Sequence, residues 1–390
     1  MGNQVAKLKP ILICAICAVL LSACWDQTEI EDRAFIFGMA IDVAKDSESK
    51  IKLTQQLVVP ENIASATEGG VGGKAYRNLT GTGRTLYEVN REMSKEASRP
   101  LDSTHLGVVL FSEDLVEQKG KMKKYFDVFF RDKKMRRGIK LAITRGDAEE
   151  LLFVEPEHGK IPAEYIKNLL ENKKRIDVTD LVRIGDIDEK MFDGTSFPLP
   201  YLSRKTDTVV DYEGIAIYNG PEERMVGALK GEEAKGLSFI RGLKNNGTID
   251  TEMDGEPFSI EIISIKRKID LENKDPHHLK FTITVHILGA VADQSGSENL
   301  KEYKVLNKFR DKTEEKAEDM MENAVKKLQN DFQTDVMGLQ EYISRHHPKI
   351  WKKVKDNWDS GENYFSKSEI KCIVNVTLQE PGSINQTTTE

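Results

Sequence analysis

The chain has 390 residues, 39% of them hydrophobic, which is material for one large core or two to three ordinary ones, and two domains is the expected division. Its 57 basic side chains are outnumbered by 64 acidic ones, so it lacks the positive excess that draws proteins to nucleic acid or to an anionic bilayer surface, and a nucleic-acid-binding role is set aside. Mean hydropathy is −0.47, and beyond the N-terminus no uncharged apolar run approaches the roughly 20 residues that cross a bilayer as a helix.

The N-terminus is built like an export signal. Lys7 and Lys9 precede the uncharged run Ile11 to Leu21, and small residues lead to Cys24. As a helix that run is about 16 Å long against a hydrocarbon core of roughly 30 Å, too short for a comfortable anchor. Leu21-Ser22-Ala23-Cys24 resembles a lipobox, the bacterial site where a lipoprotein signal is cut and the next residue, a cysteine, carries diacylglycerol. A thiol is required for lipid transfer, and small residues fit the narrow cleft of the peptidase. The expectation is cleavage between Ala23 and Cys24, loss of residues 1–23, and a lipid on the Cys24 sulfur. The bland alternative is an uncleaved signal anchor in which Cys24 is incidental. One acyl chain holds a protein only marginally while two or more hold it stably. Removing Lys7 and Lys9 takes the formal charge from −7 to −9, so charge would not supply the attachment.

Next, Ile51 to Pro60 (IKLTQQLVVP) reads as a strand closed by proline, followed by a loose segment from Ala64 to Gly73. Glu68 to Ala75 is no phosphate loop: Glu68 stands where a Walker loop needs its first glycine, and Ala75 where it needs Ser or Thr. Gly81-Thr-Gly83 likewise lacks the third glycine of a dinucleotide fingerprint, with Leu86 in its place. Thr85 and Glu88 predict a capping box for a helix carrying Leu86, Val89, Met93 and Ala97 on one face. His105 to Phe111 predicts a strand. Met122, Tyr125, Phe126, Phe129 and Phe130 predict a helix, and Gly138 to Thr144 another strand. Between them Arg131 to Arg137 (RDKKMRR) is a basic cluster, read as a solvated helix end rather than an anion or partner site.

Pro198 and Pro200 interrupt the pattern, so residues 196–211 read as a linker between an N-terminal domain, 24–195, and a C-terminal domain, 212–380. Tyr212 to Tyr218 and Arg224 to Lys230 form an expected strand pair. Leu279, Phe281, Ile283, Val285 and Ile287 alternate as in a half-buried strand. Met321, Val325, Leu328, Phe332, Val336 and Leu339 predict one long helix stopping before Pro348. Ile370, Cys372, Val374, Val376 and Leu378 alternate in a final strand, and residues 381–390 form a polar tail. Together these predict an α+β fold: mixed β-sheets packed with helices, in two to three subdomains.

No constellation carries chemistry. Cys14 and Cys17 would leave with the signal and Cys24 would be a thioether, leaving Cys372 without a disulfide partner in a strand core. The adjacent pairs His277-His278 and His346-His347 point their rings in different directions, unlike an i, i+4 ligand pair. His286 sits among polar strand residues and His105 opens a strand, where structural histidines are ordinary. There is no HExxH and no G-x-S-x-G elbow. Catalytic, metal-ligating and cofactor-binding residues are therefore none, and no enzyme activity or cofactor is expected.

Cys24-Trp25-Asp26, Glu29-Ile30 and Gly38-Met-Ala-Ile-Asp42 are similar to the opening of the Ger(x)C spore germination lipoproteins. The likeness continues through LTQQLVVP, the His105 strand, the Phe-rich helix into Arg131-Asp132, Gly214 to Tyr218, Val226 to Leu229, Asp335 to Leu339, Pro348 to Trp351, Trp358 and the last strand. The resemblance implies the C subunit of a nutrient germinant receptor. Such a subunit is lipid-anchored on the outer face of the spore's inner membrane, works beside membrane subunits A and B, and is not known as an enzyme. The implied role is a tethered scaffold or signalling component; direct contact with a small molecule stays open. The competing reading is a substrate-binding lipoprotein of an importer, which would have repeated βα units that this element order does not clearly give.

Overall fold

In a computed structural model, which describes residues 33–47, 50–65, 73–132, 134–172, 182–243, 247–296 and 298–379, the apolar runs form two sheets. The larger contains β1 (Ala34–Val43), β2 (Ile51–Val58), β3 (Tyr76–Gly83), β4 (Leu101–Asp102), β5 (Val108–Ser112), β6 (Lys140–Thr144), β7 (Phe197–Arg204), β8 (Val210–Asn219) and β9 (Arg224–Lys230). Their order is β3-β2-β1-β5-β6-β7-β8-β9, with β4 paired to β1. The smaller sheet runs β10 (Thr248–Met253), β11 (Glu256–Asn273), β12 (Lys280–Gln294), β13 (Glu369–Leu378). Both sheets are mixed: β1-β5-β6-β7 and β12-β13 pair parallel, the other main pairs antiparallel. With helices packed against them, this is the expected α+β architecture. The loose segment is outside the described residues at 66–72, as are Ala23, Cys24, the whole signal region and the tail.

The centre of the larger sheet is buried on both faces, which is why β5 and β6 read as unbroken apolar runs rather than alternations. One face carries the helices Leu86–Glu96, Lys121–Phe126 and Ile184–Phe192; the other carries Pro162–Glu171. Gly38 in β1 marks the close approach on that second face, since a Cβ there would lie 2.5 Å from the Ala163 Cβ. Asp42 at the far end of β1 accepts the backbone N–H groups of Ala148 and Glu149. Burial nevertheless pushes its pKa up to about 7.

Several expectations are refined. Thr85 caps its helix by accepting the Glu88 N–H at 3.1 Å, but the Glu88 carboxylate reaches Arg84 N at 3.0 Å instead of closing the box on Thr85. The Phe-rich helix is two short ones, Lys121–Phe126 and Val128–Arg131. His105 lies outside β5; it is exposed, with its ring edge-on to Phe35 at 4.6 Å.

The largest correction concerns residues 196–211, which are no linker. They contain β7, whose residues 197–202 are buried, and enter β8. Pro198 and Pro200 are tolerated because β6 pairs only with Tyr201 and Leu202 of this strand, so among the described residues the prolines face no ladder on that side while keeping register with Ile217 and Ile215 of β8.

The long helix also ends early. It spans Tyr303–Lys327, passes through a π turn at Leu328–Phe332, and stops at Gln333 in the left-handed region (φ 49°). Val336 and Leu339 lie beyond it. The competing local structure is supplied by Asp335, whose carboxylate accepts the N–H groups of Met337 and Gln340 at 2.9 and 2.7 Å. The same helix closes the free edge of β13: Glu318 and Glu314, one turn apart, accept the N–H groups of Val374 and Val376 at 2.9 and 2.8 Å.

Where it crosses the helix Gly231–Arg241 the backbones touch, and a Cβ on Gly236 would sit 2.0 Å from the Met320 carbonyl oxygen. Gly236→Ala is therefore expected to cost about 1–3 kcal/mol by overpacking, measured by chemical denaturation. A neutral result would show that the two helices can separate freely.

Candidate functional site

The residues that join the two sheets include a buried, hydrogen-bonded polar network. Strand β8 is buried on both faces. Its Ile215 and Ile217 enter the core built on the smaller sheet, whereas Ala216 and Tyr218 enter the core of the larger one. Strand β9 repeats this with Leu229 on one side and Met225 on the other. A strand shared between two cores has no polar face, which accounts for the unbroken Gly214-Ile-Ala-Ile-Tyr218.

At the end of β8, Asn219 donates from Nδ2 to Thr334 Oγ1 at 2.8 Å and accepts the Glu222 N–H at 2.7 Å. Ser196, just before β7, donates to Asp359 Oδ2 at 2.5 Å and accepts the Gly220 N–H at 3.0 Å. Burial pushes the Asp359 carboxyl up to about 6 despite the Ser196 bond that favours its charged form.

Next to it Asp335 is wholly enclosed. Besides its two backbone donors it accepts the Trp358 indole N–H at 2.9 Å, and burial raises its pKa against those three donated hydrogens. Around this centre Gln340 Nε2 donates to Thr195 Oγ1 at 3.1 Å, and Lys190 Nζ lies 3.2 Å from Glu341 Oε1. They line a groove of about 900 Å³ between the helix Ile184–Phe192 on one side and Trp351 and Trp358 on the other.

This arrangement ties the two sheets together through the Ser196–Asp359, Asn219–Thr334 and Gln340–Thr195 hydrogen bonds. Among the described residues no three His, Cys, Asp or Glu side chains are grouped to hold a metal ion. Cys372 is buried in β13, and its thiol is pushed up to about 12 by desolvation, beside Glu322 and Glu318. His277, His278, His286 and His346 are exposed, and His346 stacks on Tyr342 at 4.8 Å. Ala23 and Cys24, the predicted processing and lipidation residues, lie outside the described residues. Sequence reasoning singled out Asp335, Trp358 and the β8 run but missed Ser196, Asn219, Thr334 and Asp359. These are short polar residues at element ends, and they carry no periodic signal.

The comparisons with known proteins also divide the chain into two regions. Residues 26–204 match the family model described as "Spore germination protein N-terminal domain", and residues 213–382 match "Spore germination B3/GerAC like, C-terminal". The chain belongs to the GerAC family of spore germination proteins. It is 31% identical to spore germination protein A3 of Bacillus subtilis (strain 168) over 96% of this chain and 98% of that protein. It is 27% identical to spore germination protein YndF of the same organism, over 97% and 98%. Among solved structures it is similar to the GerBC protein, with 25% identity and a TM-score of 0.59, covering 87% of this chain and 96% of that one. The gap between the two GerAC models falls in the β7–β8 hairpin, so the C-terminal family region contributes β8 and β9 to the N-terminal sheet. The GerAC halves are thus interlocked by a shared sheet, and neither these models nor these relatives support the importer reading.

Proposed function

We propose that this chain is the lipid-anchored C subunit of a nutrient germinant receptor, held by Cys24 on the outer face of the spore's inner membrane as a scaffold for the membrane subunits A and B. The observation that carries this reading is the lipobox placed directly ahead of the family match, which begins at residue 26. Only Trp25 would separate the lipid-bearing residue from the first residue of the family match. Two acylated chains or more would hold the body stably at the surface, each buried methylene contributing about 0.8 kcal/mol. Confinement of this kind raises the effective concentration of the body for its membrane partners. The doubly buried β8 favours a scaffold over a clamshell, because two cores fused through one strand transmit position rather than open and close on a substrate.

The test is fractionation of dormant spores expressing Cys24→Ala, with mild-detergent pull-down of the chain. The expected result is loss of the variant from the inner membrane, with multispanning germination subunits co-purifying with the wild-type chain only. Normal membrane retention of the variant would sink the tether. Absence of any multispanning partner from the wild-type pull-down would sink the receptor assignment.

A further inference from the structure

A cavity of about 610 Å³ opens on the face of the larger sheet that bears the helices Leu86–Glu96 and Val128–Arg131. Its floor is Ile36 and Met39 of β1 with Leu53 of β2, and Phe129 and Met135 stand at its sides. The volume lies within the range of small-molecule sites, which are roughly 300–1,000 Å³ and apolar with a few placed polar groups.

The polar groups are distinct in kind. Gln55, only 1% exposed, lines the cavity and donates from Nε2 to Asn90 Oδ1 at 3.0 Å, while its Oε1 has no hydrogen-bond partner among the described residues. A buried acceptor left unpaired is costly, and a donor brought by a ligand would relieve it. At the mouth stand Arg131, Asp132 and Lys134, the beginning of the basic cluster. Arg131 pairs with Asp127, and the Asp132 carboxylate accepts the Lys134 backbone N–H at 2.9 Å. The Lys134 ammonium has no ion pair among the described residues. Tyr87, 68% exposed, forms an aromatic rim.

We infer that this cavity binds a small amphipathic carboxylate, its apolar body against Leu53 and Phe129, an N–H or O–H donor at the Gln55 oxygen, and its anion between Arg131 and Lys134. The site lies outside the junction described above and does not depend on the tether. The basic cluster, expected from sequence to be a solvated helix end, thereby gains a specific role at a pocket mouth.

The probe is a medium-chain N-acylglycine bearing a diazirine, which has the chain, the amide N–H and the carboxylate in one molecule. Its methyl ester serves as the uncharged control, and the full chain is reconstituted in lipid nanodiscs. Irradiation followed by peptide mapping is expected to give adducts on the Leu86–Glu96 and Val128–Met135 peptides that are competed away by unlabelled N-acylglycine. The ester and the Arg131→Gln/Lys134→Gln variant are each expected to label about tenfold less, the loss of a charge-assisted contact. Ser103→Phe, which adds bulk to the buried cavity wall, is expected to abolish the adducts while the melting transition persists. Adducts that do not saturate, or equal labelling by ester and acid, would overturn the inference. Unchanged labelling of the charge-neutral variant would do the same even if Ser103→Phe failed to fold.

Discussion

Ile217→Ala is expected to lower the stability of both halves together by about 2–5 kcal/mol, the range for truncating a fully buried isoleucine. Ile217 is 0% exposed and packs into the core of the smaller sheet, whereas its neighbours Ala216 and Tyr218 pack into the core of the larger one. Its backbone holds register with Pro198 on one side and Gly227 on the other. A cavity opened at Ile217 therefore disturbs a strand that the other core also needs. Denaturant-dependent hydrogen exchange would read β5 as the reporter of the N-terminal half and β12 as that of the C-terminal half. Equal losses of protection at both are expected. If β12 alone lost protection, β8 would be a passive boundary and the two GerAC regions would be independent folding units.

How far the sequence anticipated this is clearest in β8 and β12. Strand β12 alternates because one face is wet, and Phe281, Ile283, Val285 and Ile287 are all buried as the pattern predicts. The run in β8 was legible as a strand but not as a shared one, because periodicity shows that two faces are apolar and not which bodies cover them. Strand β7 was hidden for a different reason. Proline signals a boundary only when its missing N–H would be needed, and the edge beside Pro198 and Pro200 needs none. The early end of the long helix was likewise invisible to an apolar stripe, since it depends on a side chain at Asp335 competing for backbone donors. The polar junction joins Ser196 to Asp359, 163 residues apart, and no local signal encodes a pairing of that kind. The cavity beside β2 was equally unreadable, because a basic cluster looks the same whether it faces solvent alone or rims a pocket.

Asp335→Ala is expected to have the largest single effect, a loss of about 3–5 kcal/mol, comparable to removing one partner from a buried charged network. Truncation strands three buried donors at once: the backbone N–H groups of Met337 and Gln340 and the indole N–H of Trp358. Each unsatisfied buried group costs about 1–3 kcal/mol, less whatever relaxation returns. Trp358 is 1% exposed and packs edge-on to Phe281 at 6.4 Å and to Trp351 at 6.0 Å, so its displacement disturbs the core of the smaller sheet directly. Asp335→Asn keeps one acceptor oxygen but turns an amide N–H₂ toward a donor, and an intermediate loss is expected. Lys190→Gln, which removes a part-exposed ion pair with Glu341, is expected to cost no more than about 1 kcal/mol. Urea titration followed by tryptophan emission measures all three, and the alanine variant should also shift the native emission maximum as the indole loses its acceptor. The order Ala, then Asn, then Lys190→Gln is what a carboxylate anchoring the junction demands. If Lys190→Gln proved as damaging as Asp335→Ala, the halves would be held by their rim charges, and the buried aspartate would be only a local helix stop.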